Sequence, residues 1–301
     1  MVYIRRFYDL PDGRMSAVHF GPSQEVIETT APKIVFSHAN GFNALTYRRI
    51  LEALPLHTMA LDLRGHGMSE LPVPTAHTNY NIFRDDLIYF IDHYITEDIL
   101  LSGHSFGGST SILACEVLAS RSSHPVTSLV TLDPPTLPEF MTFFMRWEGF
   151  IQYGMRRLPP ARKSLNRRRV FPSREAMLKR YKQKKVLSRF VPQILEDYID
   201  GGTRIHDGGI ELTCPPEFES RNFMAQNHNI FRAANALPDF RKNIQVMRGG
   251  ASTPSSRWKL RRMMGRKNIK PEWHFNHFFP MEEPDYVTQL YQAELLRAGL
   301  I

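Results

Sequence analysis

Asp98-Ile99-Leu100-Leu101-Ser102-Gly103-His104-Ser105-Phe106-Gly107-Gly108-Ser109 is the stretch on which the fold turns. An apolar run ends on a G-x-S-x-G pentapeptide, and a small-residue segment of helical character, residues 107–120, follows at once. A serine at such a sharp strand-to-helix turn sits in strained backbone geometry, and side chains in place of the glycines would collide with adjacent elements. The hydroxyl is thereby exposed at the carboxyl end of a sheet, beside a helix N-terminus whose dipole favours a developing oxyanion. G-x-S-x-G alone is common by chance, and the alternative is a glycine-rich turn without chemistry. The strand before it and the helix after it favour the nucleophile.

Outward from this turn, short β-branched runs alternate with helical patterns, as in an α/β protein with a largely parallel sheet. Upstream, residues 2–8 and 15–20 are expected to pair as a hairpin across Pro11-Asp12-Gly13. Strands are expected at 33–38 and 57–62, and helices at 46–54 and 80–94, the last with Asp85 and Asp86 opposite its apolar face. A strand at 126–132 ends at Asp133-Pro134-Pro135. Strand periodicity then stops for some 90 residues, through an aromatic-rich start, a basic run, a helix at 191–200 and a Gly/Asp loop at 201–209. Residues 216–236 read as one further helix. Strands at 243–248 and 268–274, a basic helix at 255–264 and a closing helix at 284–298 complete the chain. The division is a core of residues 1–133 and 218–301 with a helical cap inserted at 134–217.

Composition is that of a globular chain, with 42% hydrophobic and 23% charged residues. No run of about 18 apolar residues suggests a membrane span, and no apolar segment follows Arg5-Arg6 as a secretory signal would require. The two cysteines, Cys115 and Cys214, have no metal-ligand spacing and suggest a reducing, cytoplasmic setting. The net charge of +8 is local: residues 156–189 hold 14 Lys/Arg against Glu175 alone, and the remainder is acidic by five. A solvated helix face is the plain reading of that run. An anionic membrane surface or a phosphate-bearing acyl carrier is the functional one. Nucleic acid is not expected, since no recognition module or stacking pattern accompanies the charge.

Four separated segments carry a resemblance to the α/β-hydrolase superfamily, in its branch with a cap after the sixth strand. They are Ser37-His38-Ala39-Asn40-Gly41-Phe42, Asp62-Leu63-Arg64-Gly65-His66-Gly67-Met68-Ser69, Gly103 to Gly108, and His277-Phe278-Phe279-Pro280-Met281-Glu282-Glu283-Pro284. The resemblance spans nearly the whole chain outside the cap. It implies an α/β-hydrolase fold, a mostly parallel sheet with helices on both faces, and acyl transfer to water through a Ser-His-acid triad without cofactor or metal. Serine at the elbow resembles esterases, lipases and thioesterases and argues against relatives that use aspartate there.

Carried over residue by residue, Ser105 is the nucleophile and His277 the base, since a neutral imidazole can take the serine proton and return it to the leaving group. His274 is the rival. His38 and His104 read as histidines that hold loops in place, and His66 lies in a turn. Backbone amides of Phe106 and of Asn40, with Ala39 next best, are expected to form the oxyanion hole. The family's usual acid position after the seventh strand falls in Arg248-Gly249-Gly250-Ala251-Ser252-Thr253-Pro254-Ser255-Ser256, which holds no carboxylate; Thr253 stands there. Some hydrolases that the chain resembles carry the acid one strand earlier, after the sixth, and Asp133 stands at that place, with an Asx-type turn as its plainer role. Phe140, Phe143, Phe144 and Trp147 either line an apolar acyl pocket or pack the cap onto the core. The reading is an esterase or lipase-like enzyme for small-molecule esters of small or medium apolar acids. A thioesterase or carbon–carbon bond hydrolase is the alternative on the same triad, and a non-catalytic binding protein the alternative of another class.

Overall fold

The computed structural model describes residues 2–137, 139–235, 244–248, 269–271 and 276–301. β1 (Val2–Leu10) and β2 (Gly13–Gly21) form the expected hairpin, with Val2 opposite Gly21 and Leu10 opposite Gly13. α1 (Gln24–Thr29) follows, its first turn capped by the Ser23 hydroxyl. After β3 (Ile34–Ser37), a 3-10 turn (Ala44–Tyr47) runs into α2 (Arg48–Leu51), where a continuous helix was expected. β4 (Thr58–Asp62), α3 (Asn81–Tyr94), β5 (Ile99–His104), α4 (Phe106–Leu118) and β6 (Val126–Leu132) complete the first part of the core.

The insertion contains α5 (Glu139–Phe144), α6 (Glu148–Arg157), α7 (Pro159–Leu165), β7 (Val170–Phe171), α8 (Arg174–Lys182), α9 (Pro192–Gly202), β8 (Thr203–His206) and β9 (Gly209–Leu212). It is therefore not wholly helical. β7, β9 and β8 form a small antiparallel sheet where a loop was expected at 201–209. The cause is Asp207-Gly208, whose φ values of 42° and 75° are those of a tight hairpin turn that matches strand twist. The helix expected at 216–236 is two, α10 (Pro216–Met224) and α11 (Ile230–Asn235). Between them Asn227 donates its amide to the Thr78 carbonyl, and the Asn229 side chain caps the Arg232 amide. β10 (Ile244–Arg248), β11 (Ile269–Pro271), a turn of helix at Phe279–Glu282 and a closing helix at Pro284–Ala298 follow. The basic helix expected at 255–264, the loop at 249–256 with Thr253, and His274 lie outside the described residues.

Eight strands form one sheet in the order β1-β2-β4-β3-β5-β6-β10-β11. β1, β2 and β4 meet antiparallel, and every pairing from β4 through β11 is parallel. The central strands read as unbroken apolar runs because both sheet faces are covered. Along β3, Val35 points into a core built with α3 and α4. Ile34 and Phe36 point to the other face, into a core shared with α2, α9 and the closing helix. The insertion thus contributes Ile194, Leu195 and Ile199 of α9 to the main core. On α3, Asp86 does not lie opposite the apolar face. It is three residues from Phe83 and four from Phe90, so it shares their buried side and pairs with Arg64 at 2.7 and 2.8 Å. No helix among the described residues is long and apolar enough to cross a membrane.

Candidate active site

β5 delivers Ser105 to the carboxyl end of the sheet, in a backbone conformation of φ 52°, ψ −115°. That conformation is strained for a residue with a Cβ, and two close approaches enforce it. A Cβ on Gly103 would stand 2.4 Å from the Gly107 carbonyl carbon, and one on Gly107 would stand 2.2 Å from the Ser37 carbonyl oxygen. The Ser105 amide donates to the Leu132 carbonyl at 2.8 Å, fixing the elbow to the end of β6. Asp133, the next residue, also takes a positive φ of 43°.

The chain from Asp98 to the elbow meets two distant residues here. His277 Nε2 lies 2.9 Å from Ser105 Oγ, and its Nδ1 lies 2.7 Å from Asp133 Oδ2. The carboxylate therefore accepts the Nδ1 proton, leaving Nε2 as acceptor for the serine hydroxyl. Ser105 is 9% exposed and Asp133 4%, while the His277 side chain keeps 29%, so the site is nearly closed but reachable at the imidazole.

Two loops present backbone amides beside Ser105. Ala39 donates its N–H to the Tyr47 hydroxyl at 3.1 Å, and Gly41 donates to His66 Nε2 at 3.0 Å. On the other loop Gly107 donates to the His38 carbonyl at 3.1 Å. The amides of Asn40 and Phe106 form no hydrogen bond among the described residues, at the end of α4 where the helix dipole is positive. Ala39, the second candidate, is thus already engaged. The Asn40 side chain is committed elsewhere: its Nδ2 donates to the Glu219 carbonyl at 2.8 Å, and its Oδ1 accepts from Asn222 at 3.0 Å. The loop after β3 is therefore tied to α10, the helix that returns the chain from the insertion.

His104, His38 and His66 are buried and hydrogen-bonded within the fold. Burial pushes His104 down to about 3, with the neighbouring His277 ring adding to it. Neutral His104 accepts from Tyr47 at Nδ1 (2.8 Å) and donates from Nε2 to the His277 carbonyl (2.9 Å). One hydrogen-bonded line thus joins the Ala39 amide, Tyr47, His104 and the backbone of His277. Burial likewise lowers His38 to about 4 and His66 to about 3. His38 Nε2 accepts from Leu63 at 2.9 Å, joining the loop after β3 to the loop after β4.

Phe140, Phe143, Phe144 and Trp147 do not line this site. They are 66, 48, 43 and 47% exposed on the outer side of α5 and the turn after it. An aromatic cluster adjoins His277 through Phe278, whose ring lies 5.2 Å from the imidazole, and consists of residues that the motif reading did not assign. Phe42 follows the loop after β3, Phe278 follows His277, and Phe190 comes from the insertion, with ring centroids 5.8–6.2 Å apart. Phe42 and Phe278 adjoin motif residues and were findable on that ground. Phe190 carries no local signal. A cleft of about 430 Å³ runs along the seam between the insertion and the core, past Met155, Arg156, Leu165 and Phe218, and does not include Ser105. Among the described residues no cluster of His, Cys, Asp or Glu is arranged to hold a metal.

The Alpha/beta hydrolase family model matches residues 34–290. Among solved structures the chain is similar to E-2-(acetamidomethylene)succinate hydrolase, with a TM-score of 0.75 and 17% identity over 98% of this chain and 99% of that one. It is similar to the thioesterase domain from the curacin biosynthetic pathway (TM-score 0.71, 14% identity, 97% and 100% covered). An esterase of M. tuberculosis gives a TM-score of 0.68 at 19% identity, with 97% and 92% covered. Likeness at these identities concerns the fold. No curated protein matches the chain in sequence. With a family model matched over most of its length, on the fold that model describes, the chain belongs to the alpha/beta hydrolase family.

Proposed function

We propose that this protein is a serine hydrolase that cleaves carboxylic esters through an acyl-enzyme on Ser105. The observation that carries the reading is the unbroken line Ser105 Oγ, His277, Asp133, at 2.9 and 2.7 Å. His277 takes the Ser105 proton as Oγ attacks the ester carbonyl, and Asp133 balances the imidazolium so formed. The Asn40 and Phe106 amides receive the negative charge on the tetrahedral oxygen. His277 then protonates the leaving alcohol, and a water activated by the same imidazole releases the acid. Phe42, Phe190 and Phe278 offer an apolar surface for the acyl group, in place of the four cap aromatics. The non-catalytic alternative drew on the vacant acid site after the seventh strand, and Asp133 at 2.7 Å from His277 supports the catalytic reading over it. Thioesters pass through the same tetrahedral chemistry, and one similar solved structure is a thioesterase domain.

A fluorophosphonate probe tests the reading. Wild type should be labelled covalently and Ser105→Ala should not. A correctly folded wild type that resists labelling sinks the hydrolase assignment. A panel of p-nitrophenyl esters of rising chain length, with acyl-thioesters alongside, then ranks the substrates.

A further inference from the structure

The helix that opens the insertion has its apolar stripe on the wrong side for a core helix. Phe140, Phe143, Phe144 and Trp147 stand at i, i+3, i+4 and i+7, the spacing that ordinarily turns inward. Here the inward side belongs to Met145, buried against Ile151, Met155 and Met224, and to Thr142, which lines a small pocket with Leu137 and Ile230. The four aromatics face solvent, each at least 43% exposed. Scattered exposed aromatics need no explanation, but a contiguous group does. These rings touch one another: Phe143 and Trp147 at 5.2 Å, Phe144 and Trp147 at 5.5 Å, Phe143 and Phe144 at 5.8 Å.

Bases adjoin the stripe, and of the acids beside it in the chain Glu139 opens α5 while Glu148 is paired with Arg221. The Arg146 guanidinium lies 4.3 Å over Phe143 and 5.4 Å over Trp147. On α6, Tyr153 is 61% exposed and Arg156 and Arg157 are exposed as well, and α7 adds exposed Arg162 and Lys163. Of the 14 basic residues between 156 and 189, ion pairs among the described residues engage Arg167, Arg169, Arg174 and Arg189 only. The charge is therefore mostly available to something outside the chain.

We propose that the outer face of α5–α7 docks on an anionic lipid bilayer, with the aromatic stripe at the headgroup boundary and the bases on the headgroups. Aromatic side chains with flanking bases on the solvent side of a short helix are the composition of an interfacial surface. A nucleic acid would need flat ring faces for base stacking, whereas Phe143 packs edge-on against Phe144 and Trp147, at 84° and 90°. An acidic acyl-carrier protein would match the charge but leave the outward stripe without a receiving groove. The inference rests on the insertion alone and stands whether or not Ser105 is a nucleophile. If both hold, the lipid surface is where the enzyme meets its ester.

The test is co-sedimentation of the full chain with phosphatidylcholine vesicles, with and without phosphatidylglycerol. Wild type, and Ser105→Ala equally, should bind the anionic vesicles and release them in high salt. Neutralising Arg156, Arg157, Arg162 and Lys163 to Gln should weaken binding by about fivefold for each base near the surface. Phe143→Ser with Trp147→Ser should weaken it with every charge in place. All six side chains are exposed, and circular dichroism verifies that the variants fold. No binding to anionic vesicles, equal binding to neutral ones, or no loss in the aromatic double variant overturns the proposal. So does retention of an acidic acyl-carrier protein under conditions where the vesicles are not bound.

Discussion

Asp133→Asn is the substitution on which the site assignment depends most. It keeps the shape and a hydrogen-bonding side chain, but removes the charge 2.7 Å from His277 Nδ1. When His277 accepts the serine proton, an imidazolium forms opposite a carboxylate that is 5% exposed. Two unit charges about 4 Å apart, at an effective dielectric of about 20, attract by about 4 kcal/mol. At about 1.4 kcal/mol per decade that is a loss of about 10³-fold in kcat. Asparagine can also offer its N–H to Nδ1, which turns the imidazole into the wrong tautomer for accepting from Ser105 and carries the loss toward about 10⁴-fold. KM should move far less, because the charge pair exists only after proton transfer. The assay is steady-state hydrolysis of a p-nitrophenyl ester, with thermal melting to show that the variant is folded. A folded variant that loses less than about tenfold refutes the reasoning: the carboxylate would then be a turn residue that happens to touch the imidazole.

Two further perturbations probe how the insertion supports the site. Asn222→Ala removes the donor to Asn40 Oδ1 and the partner of His77 Nε2 at 2.7 Å, loosening the loop that presents the Asn40 amide. A displacement of that donor by about 1 Å costs about 10²-fold, so kcat should fall by up to that amount with KM nearly unchanged. An equal rise in KM in steady-state kinetics would mean that α10 shapes substrate binding instead. Asp197, 2% exposed on α9, is raised to about 6, by desolvation first and with Arg48 at 3.6 Å offsetting only part of it. A carboxyl raised above its unfolded value favours the folded state most below about pH 4 and progressively less as pH climbs through about 6. Asp197→Asn should therefore gain on wild type by up to about 3 kcal/mol between pH 4 and pH 8. Urea denaturation across that range measures it, and a pH-independent difference between the two proteins contradicts it.

What could be read from the chain was local. The elbow is a matter of adjacent glycines, and His277 lies in a compact pattern ending at Pro284, so each is visible within about ten residues. Asp133 was reachable only indirectly, through the resemblance to hydrolases with the acid after the sixth strand and the lack of any carboxylate between Arg248 and Ser256. The choice between the Asn40 and Ala39 amides depends on the Tyr47 hydroxyl, which comes to Ala39 only once the 3-10 turn has formed. Helical spacing showed that Phe140, Phe143, Phe144 and Trp147 share a face, but spacing does not say whether that face meets core or solvent. The small sheet of the insertion had a local signal in Asp207-Gly208, a dipeptide suited to a two-residue hairpin turn, with Ile205 and Ile210 on either side. Phe190 was not legible, because nothing near it in sequence marks a residue that will pack against Phe42 and Phe278.

On the proposed triad the acid follows β6, and that placement has a structural consequence. β5 and β6 are adjacent and parallel, with His104 opposite Leu132, so Ser105 and Asp133 leave neighbouring strand ends side by side. Both take positive φ, and the only other non-glycine residue to do so among the described residues is Asp207 in its hairpin turn. Strain of this kind persists only where the surroundings over-determine it. At Asp133 those surroundings include Pro134, the first residue of the insertion, whose ring lies 3.4 Å from where a Cβ on Gly108 would be. The residue proposed to orient His277 is thus also the one from which the insertion departs. An acid after β10 would sit a strand farther from Ser105 and apart from this hinge. With the acid at β6 and the Asn40 loop tied to α10, both ends of the insertion are anchored on groups that surround Ser105.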